Sequence, residues 1–304
     1  MNNLRNNEVQ KVLPVGEELG GAVVTIIGIG LIGGSMALAL KEKGFASKII
    51  GVESNTQHRD EALALGLVDE IMELDSAITK SDIIIIAVPV SIADNLIVSI
   101  LDKVDKQVVI DVGSTKKSIC DAAATSKNQK RFVASHPMWG TEYSGPRAAV
   151  KEAFENTAVI ICNKENTDAD ALLVAEKLYR LLGMRQLYMD AAAHDLHAAY
   201  VSHISHITSF ALANTVLEKE REEDAIFDMA SAGFESTVRL AKSNPAMWVP
   251  IFQQNRDNVL DVLNEHITQL RKFKSCLEKE NYTYLLELIE NANKIKKVLR
   301  EKPG

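Results

Sequence analysis

A glycine triplet directly after a short apolar run is the feature that most constrains the fold of this chain. Gly28, Gly30 and Gly33 stand in the order G-x-G-x-x-G after the predicted strand Val23–Ile27, and a helix-like segment follows. In a dinucleotide-binding βαβ unit the first glycine permits a tight turn, the second lets the backbone approach a pyrophosphate, and the third lets helix and strand pack closely. The N-terminal N–H groups of the helix then face the phosphates. The pattern therefore predicts a dinucleotide site rather than an ordinary turn.

An acidic residue directly follows the second predicted strand, at the position where a dinucleotide site needs one. Glu53 follows the run Ile49–Val52, and an acid at this place accepts hydrogen bonds from the ribose diol of the cofactor. The same carboxylate repels a 2′-phosphate, so the sequence predicts NAD rather than NADP, a preference that Arg59 nearby would soften. Further predicted cofactor contacts adjoin the motif or end another strand: Leu31, Ile32, Val88 and Pro89.

The first half of the chain alternates short apolar runs with amphipathic stretches. The runs are continuously apolar, which is typical of a parallel sheet covered by helices on both faces. Amphipathic stretches such as Ser91–Lys103 and Asp168–Leu182 supply those helices. This pattern predicts a Rossmann-type, doubly wound α/β sheet, which binds ligands at the carboxyl ends of its strands. The predicted strands are Val23–Ile27, Ile49–Val52, Ile83–Val88, Val108–Val112, Phe132–Ser135 and Val159–Cys162.

After about residue 190 the strand-like runs stop and only helix-like segments follow. One helical layer is too thin to bury the apolar side chains of Ala198–Leu217, whereas a helical domain paired with its own copy buries them. The sequence therefore predicts a homodimer built on the helical half. We expect a loose N-terminal tail (1–20), a dinucleotide-binding Rossmann domain (21–189) and an all-α dimerisation domain (190–304). The predicted helices of the last domain are Ala191–Lys219, Glu222–Ala230, Glu235–Lys242, Ala246–Lys274 and Tyr282–Arg300.

Charge and cysteine content argue against several other classes of protein. A net charge of −7 over 304 residues offers no basic stripe for a nucleic acid. The three scattered cysteines argue against a disulfide framework and a zinc site, and they suit a reducing cytoplasm. The N-terminus lacks the apolar core of a signal peptide, and Leu196–Leu217 is too polar for an unaided membrane span. We expect a cytoplasmic protein with no nucleic-acid or membrane partner.

Two polar segments follow predicted strands at the edge where a ligand would bind. Ser114 lies in the first, DVGSTK (111–116), whose purely structural interpretation is a Ser/Thr N-cap for a helix that begins near Lys116. His136 opens the second, HPMWGTEYSG (136–145), at the carboxyl end of a buried strand. Because an unperturbed histidine has a pKa of about 6.5, His136 is a candidate general base beside a nicotinamide.

Two further patches lie in the helical half. His203 and His206 are three residues apart and share a helix face, but no cysteine or acid of clear zinc type accompanies them. We therefore expect polar residues lining a buried cleft there, and no metal. In the second patch Arg239 is a candidate carboxylate-binding residue because a guanidinium grips a carboxylate bidentately. The alternative interpretation makes Arg239 a solvated helix charge and Trp248 a core anchor.

Together the glycine motif and these patches resemble one family, the prephenate/arogenate dehydrogenases of tyrosine biosynthesis. The resemblance implies a Rossmann domain followed by an all-helical dimerisation domain. It also implies the oxidative decarboxylation of a cyclohexadienol with NAD(P)⁺, for which prephenate as substrate and NAD as cofactor are the first hypothesis. The matching segments, in the family's order, are GIGLIGGS (28–35), DVGSTK (111–116), HPMWGTEYSG (136–145), HD (194–195), VSHISH (201–206) and GFESTVRLAKSNPAMW (233–248).

The resemblance also implies roles for individual residues. By analogy His136 accepts a hydrogen bond from the ring hydroxyl of the substrate and takes its proton, and Ser114 assists at the same hydroxyl. The implied substrate-binding residues are Arg239 at a carboxylate, His206 in the cavity wall, Thr141 and Glu142 at the cavity edge, and Trp248 reaching toward the site of the partner subunit.

Three alternative functions stay open at this point. The first is the same reaction on arogenate, which carries an amino group where prephenate carries a keto group. The second is a β-hydroxyacid dehydrogenase of Rossmann-plus-helical architecture, which uses a catalytic lysine in its helical domain. The third is a non-catalytic dinucleotide sensor, which leaves His136 and Arg239 without a role.

Overall fold

The computed structural model describes residues 21–221 and 225–300. The predicted N-terminal tail, residues 1–20, lies outside the described residues. The elements of the first half are β1 (Ala22–Ile27), α1 (Leu31–Glu42), β2 (Ala46–Val52), α2 (Thr56–Ala64), β3 (Glu70–Ile71), α3 (Leu74–Lys80), β4 (Ile83–Ile86), α4 (Val90–Leu101), β5 (Val108–Asp111), α5 (Lys117–Ala123), β6 (Phe132–Pro137), β7 (Ala158–Cys162), α6 (Ala169–Leu181) and β8 (Arg185–Met189).

The eight strands form one sheet in the order β3-β2-β1-β4-β5-β6-β7-β8. The chain crosses over after β3 to place β4 beside β1, so the loops that follow β1 and β4 meet at the carboxyl edge of the sheet. All four residues of β4 are isoleucines and all are buried, because helices cover both faces of the sheet. The predicted Rossmann-type doubly wound fold is confirmed.

One pairing departs from the predicted parallel sheet. β7 runs antiparallel to β6, with His136 opposite Ile160. An antiparallel return needs no crossover helix, so residues 138–157 stay at the edge where β6 ends. This connection folds back over α1, where the N–H of Val150 donates to Oγ of Ser35 at 2.9 Å. The irregular segment after His136 is thereby held beside the glycine motif.

The second half is helical, as predicted. Ala191–Lys219 was predicted as one helix, and α7 and α8 form a continuous run through a π-helical turn, Ala199–His203. The long helix predicted over Ala246–Lys274 is wrong in one respect, because the chain breaks at Asn255. The elements are α7 (Ala191–Ala198), α8 (Ile204–Glu220), α9 (Ala232–Val238), α10 (Pro245–Gln254), α11 (Arg256–Glu278), α12 (Tyr282–Asn293) and α13 (Ile295–Arg300).

Two other helix predictions need correction. The helix predicted over Glu222–Ala230 is replaced, within its described part, by a single 3₁₀ turn at Phe227–Met229, and residues 222–224 lie outside the described residues. The helix predicted over Tyr282–Arg300 divides at Lys294 into α12 and α13. The elements that form are short, and short helices are marginal by themselves, so local preference alone does not decide where they end.

The helical half leaves much apolar surface uncovered in the single chain. Ser209 is the one buried residue of α8, and no residue of α12 is buried. Val201 is 66% exposed and Leu286 is 57% exposed, far more than core positions allow. Exposed apolar surface of this extent is typical of a region that a second subunit covers. Within residues 21–221 and 225–300 no helix is long and apolar enough to cross a membrane.

Candidate active site

The glycine motif has the geometry that a bound dinucleotide requires. Gly28 has φ +87°, and a β-carbon there would lie 2.6 Å from the carbonyl oxygen of Ala87. A β-carbon at Gly33 would lie 2.1 Å from the carbonyl oxygen of Gly28, so only glycine lets α1 pack this closely on β1. By contrast Gly30 faces open space, which leaves room for a pyrophosphate against the backbone.

The N-terminus of α1 is free to bind an anion. The helix begins at Leu31 and Ile32, its cap residue Gly30 supplies no side-chain hydrogen bond, and its first turn carries no acidic residue. The first N–H groups of a helix need acceptors, and the positive end of the helix dipole favours a phosphate. This end of α1 therefore fits the pyrophosphate of a dinucleotide.

Glu53 lies at the end of β2 with its carboxylate fixed by the backbone. Oε2 accepts from the N–H of Ile29 at 3.0 Å, and Oε1 accepts from the N–H of Asn55 at 3.0 Å. Nε of Arg59 donates to the backbone carbonyl of Glu53 rather than to its carboxylate. The carboxylate thus stands beside the glycine turn, where it fits the ribose diol of an NAD adenosine.

The residues after β4 form the opposite wall of the cofactor cleft. A β-carbon at Gly28 would lie 3.0 Å from Cγ1 of Val88, so the two loops are in contact. Pro89 is the exposed cap residue of α4, and Val90 packs in a small cluster with Trp248 of α10. The cofactor cleft therefore borders the helical half at this point.

His136 belongs to a hydrogen-bonded line of three side chains. Its Nδ1 lies 2.8 Å from Nε2 of His194, and Nδ1 of His194 lies 2.8 Å from Oδ1 of Asp195. His194 is fully buried and Asp195 nearly so, whereas His136 is partly exposed at the end of β6. The line runs from a carboxylate in the helical half to a ring at the sheet edge.

The protonation states along this line are set by burial and by hydrogen bonds. Burial holds the pKa of His136 well below its ordinary value, and the facing His194 and Lys116 act in the same direction. Burial likewise lowers the pKa of His194. Burial alone would raise the pKa of Asp195, but hydrogen bonds from His194 and from backbone N–H groups hold it below its ordinary value. Both rings are therefore neutral and the carboxylate is charged.

Asp195 also caps a helix of the other half, which corrects a sequence prediction. Its Oδ1 accepts from the N–H of Lys116 at 2.8 Å and its Oδ2 from the N–H of Lys117 at 2.9 Å. No side chain of α5's own turn caps that helix, so the N-cap role considered for Ser114 or Thr115 falls to Asp195, which lies 78 positions after Lys117. Ser114 is left half-buried in the turn between β5 and α5.

A buried ion pair lies under His136. Nζ of Lys116 contacts Oδ2 of Asp111 and donates to the carbonyl of Ser135 at 2.7 Å. Both charged side chains are almost completely inaccessible. Burial raises the pKa of Asp111, and the ammonium of Lys116 and the N–H of Gly113 oppose that shift. The pair fixes the ends of β5 and β6 to each other.

The histidines of the helical half contact one indole. The ring of His206 stacks on Trp248 with centroids 3.5 Å apart, and the ring of His203 meets the same indole edge-on at 6.0 Å. Trp248 is buried, and its Nε1 has no hydrogen-bond partner among the described residues. No group of three or more potential ligands in the described part of the chain could hold a metal ion.

Arg239 and Glu142 join the two halves across the cleft. Nη1 of Arg239 donates to Oε2 of Glu142 at 3.1 Å. A backbone N–H and the guanidinium together hold the pKa of Glu142 below its ordinary value. Arg239 is half exposed and so remains accessible to a ligand. Thr141 lies beside this pair and accepts from the N–H of Tyr143 at 3.3 Å.

Direct contacts link all four of the patches singled out from the sequence. Asn255, at the break between α10 and α11, donates from Nδ2 to the carbonyl of Asp195 at 2.7 Å and lies 3.2 Å from Nδ1 of His203. It thus connects the His136 line to the rings around Trp248. Sequence reasoning placed His194 and Asp195 in a polar patch of the helical half without giving either a role, and it missed Asn255, which no local pattern distinguishes. In the part of the chain that the structure describes, no hydrogen bond joins Ser114 to His136.

Comparison with known proteins identifies the family. Residues 36–188 match the model described as prephenate dehydrogenase, nucleotide-binding domain, and residues 190–291 match prephenate dehydrogenase, dimerization domain. The chain is 30% identical over 273 residues to a prephenate dehydrogenase of Bacillus subtilis, covering 88% of this chain and 74% of that one. It is 30% identical over 280 residues to a cyclohexadienyl dehydrogenase of Zymomonas mobilis, covering 91% and 96%.

A solved structure agrees with these matches along nearly the whole chain. The prephenate dehydrogenase of A. aeolicus, in complex with hydroxyphenyl propionate and NAD⁺, superposes with a TM-score of 0.83 at 30% identity, covering 92% of this chain and 98% of that one. The two domains and their order are therefore shared with this group of enzymes, and the chain belongs to the prephenate dehydrogenase family.

Proposed function

We propose that this chain is an NAD-dependent prephenate dehydrogenase that converts prephenate to 4-hydroxyphenylpyruvate and CO₂. The observation that carries the proposal is the neutral His136, anchored through Nδ1 at the sheet edge that also carries the glycine motif. The A. aeolicus relative binds NAD⁺ and a hydroxyphenyl acid, and the B. subtilis relative is named for the same activity. The family assignment favours this reaction over the hydroxyacid dehydrogenase and the sensor.

The cofactor fits the residues that are present. The open space at Gly30 and the uncapped start of α1 at Leu31 would hold the pyrophosphate, and Glu53 would bind the adenosine ribose. Val88 and Pro89 would line the path toward the nicotinamide, since Val88 contacts the glycine turn. When bound, NAD⁺ supplies the hydride acceptor that the oxidation requires.

His136 acts as the general base. Its Nδ1 is engaged by His194, so Nε2 on the other side of the ring is the atom that receives the proton of the substrate's ring hydroxyl. The lowered pKa keeps the ring unprotonated at neutral pH and thus ready to accept. Ser114, at the neighbouring strand end, hydrogen bonds to the same hydroxyl.

Arg239 binds a carboxylate of the substrate. Its guanidinium is half exposed and already holds one carboxylate, that of Glu142, at the cavity edge with Thr141. A substrate carboxylate takes part of these hydrogen bonds, because a guanidinium has five donors. His206 and Trp248 form the apolar and aromatic wall against which a ring packs. Loss of the ring carboxylate as CO₂ then yields an aromatic product, which makes the overall reaction favourable.

The second candidate substrate is arogenate. The Z. mobilis relative is named a cyclohexadienyl dehydrogenase, a wider term than prephenate dehydrogenase. The test is NADH formation from prephenate and from arogenate, side by side, with wild type and His136→Asn. We expect turnover of prephenate that the variant loses. Turnover of arogenate alone would contradict the proposed substrate, and NADH from neither compound would contradict the proposed function.

We also infer that the enzyme works in the cytoplasm as a homodimer joined through its helical half. Cys162 and Cys276 are buried free thiols and Cys120 is half-buried and free, which suits a reducing compartment. The second family model is a dimerisation domain and covers the half whose apolar side chains are most exposed.

A further inference from the structure

The line from Asp195 through His194 to His136 fixes where each proton lies. The charged carboxylate of Asp195 can only accept, so Nδ1 of His194 must carry a proton and donate it at 2.8 Å. A neutral imidazole has one N–H, so Nε2 of His194 is an acceptor. The atom 2.8 Å from it, Nδ1 of His136, must then carry the proton of that ring.

This assignment leaves Nε2 of His136 unprotonated. Of the two neutral forms of the ring, only this one has its free lone pair on the side opposite His194. In water the two forms of a neutral histidine interconvert freely, so an unsupported ring would spend part of its time with the wrong nitrogen protonated.

We propose that His194 and Asp195 are positioning residues that hold His136 as the tautomer able to take a proton at Nε2. The inference rests on the proposed role of His136 as base. When His136 gains that proton, its Nδ1–H donates more strongly to His194, and the carboxylate of Asp195 stabilises the cation through the intervening ring.

Asp195 is itself held in place from several directions. The N–H groups of Lys116 and Lys117 bind its two oxygens at the start of α5, and Asn255 binds its carbonyl. The line is therefore formed only when the helical half is docked on the Rossmann half.

The other charged and titratable groups near His136 do not determine which nitrogen of its ring carries the proton. His203, in the π-helical turn, acts on His136 only through space, and so does Lys116. Lys116 is paired with Asp111, so its charge is largely balanced. Among the described residues, only His194 makes a hydrogen bond with the ring of His136.

The test compares His194→Gln with His194→Leu. The amide oxygen of Gln can still accept from Nδ1–H of His136, whereas Leu offers no acceptor. We expect kcat of His194→Leu to fall by about 10²-fold or more, toward the loss caused by removing a general base, with KM little changed. His194→Gln is expected to recover most of that loss. His197→Gln, on the exposed face of the same helix, is the matched control and should resemble wild type.

Asp195→Asn provides a second test on the other end of the line. The amide of Asn would donate to Nδ1 of His194, so both His194 and His136 would adopt the opposite tautomer. We therefore expect kcat to fall by about 10²- to 10⁴-fold, as it does when a buried carboxylate that hydrogen bonds to a catalytic histidine is neutralised. Asp190→Asn is its control, because Asn serves equally well at the N-cap of α7 that Asp190 forms.

A spectroscopic readout separates this role from a structural one. In wild type the ring ¹⁵N resonances of His136, assigned by their absence in His136→Asn, should show a protonated Nδ1 and an unprotonated Nε2. His194→Leu should show a mixture of forms. A wild-type ring protonated at Nε2, or equal kcat for His194→Leu and wild type, would overturn the proposal.

The outcomes also distinguish this inference from the proposed function. Near-wild-type turnover by His136→Asn refutes the base itself. Inactive His136→Asn together with fully active His194→Leu and Asp195→Asn refutes only the positioning role.

Discussion

Replacement of Lys116 by Met should destabilise the protein, because the buried carboxylate of Asp111 then has no positive charge beside it. Lys116 is fully buried, and its ammonium contacts Asp111 and the carbonyl of Ser135. After the change the Asp111 carboxylate retains the N–H of Gly113 at 2.9 Å as its remaining hydrogen-bond donor. Breaking a buried pair by removing one partner typically costs about 3–5 kcal/mol, because an uncompensated charge remains.

Protonation of Asp111 sets a ceiling on that loss. Burial already raises the pKa of this carboxyl, and removal of the ammonium raises it further. Taking up a proton at pH 7, against an unfolded pKa of about 3.9, costs at most about 4 kcal/mol. We therefore expect a loss of about 3 kcal/mol at pH 7. Because the folded pKa lies above the unfolded one, the loss grows as the pH rises above about 4 and shrinks as it falls toward that value.

Urea unfolding followed by far-UV circular dichroism, at one protomer concentration and at pH 7 and pH 5, measures this loss. Lys117→Met is the matched control, since Lys117 is exposed and its pair with Asp121 is a surface one. Lys116→Met combined with Asp111→Asn should regain part of the stability, because no buried charge is left. A Lys116→Met loss below about 1 kcal/mol at pH 7, or one of equal size at pH 5, would refute the reasoning.

Four further outcomes are expected. Glu53→Ser should narrow the preference of kcat/KM for NAD⁺ over NADP⁺, and a wild type that uses NADP⁺ equally well would contradict the role of Glu53. Arg239→Ala should lower kcat/KM for prephenate by the equivalent of about 2–5 kcal/mol, mainly through KM, whereas Lys242→Ala should not. Because the proposed base is neutral His136 and burial lowers its pKa, activity should be lost on acidification only below pH 6.5, the ordinary pKa of histidine, and this loss should be absent from the pH profile of His136→Asn. Light scattering should give twice the chain mass at micromolar concentration, and a monomer mass would contradict the dimer.

The strands and the glycine turn were predictable because their signals are local. β4 is a continuous apolar run, and β1 and β5 are apolar except for Thr25 and Asp111, which is the composition that a sheet covered on both faces needs. β3 and β8 lie at the edges of the sheet, where one side of the strand needs no burial, so they carry no such run. The direction of β7 was not predictable, since the same apolar run pairs in either direction.

The helical content of the second half was predictable, but the positions at which its helices end were less so. Asn255 ends α10 because its side chain serves the carbonyl of Asp195 and the ring of His203, both far away in sequence. The π-helical turn at Ala199–His203 likewise interrupts a segment that reads as one regular helix. Contacts of this kind depend on how elements pack, and helical periodicity carries no information about them.

The sequence by itself determined the kind of protein this is: a dinucleotide fold with Glu53 directly after its second strand, His136 at a strand end and a second domain made of helices. Those properties follow from spacing and apolar pattern within short segments. Only the tertiary structure decided that the ring of His194, 58 residues along the chain, lies within hydrogen-bond distance of the ring of His136. It also decided that Asp195 caps the N-terminus of α5 and hydrogen bonds to His194. Hydrogen bonds across domains depend on distances that the folded core sets, and no local rule encodes those distances.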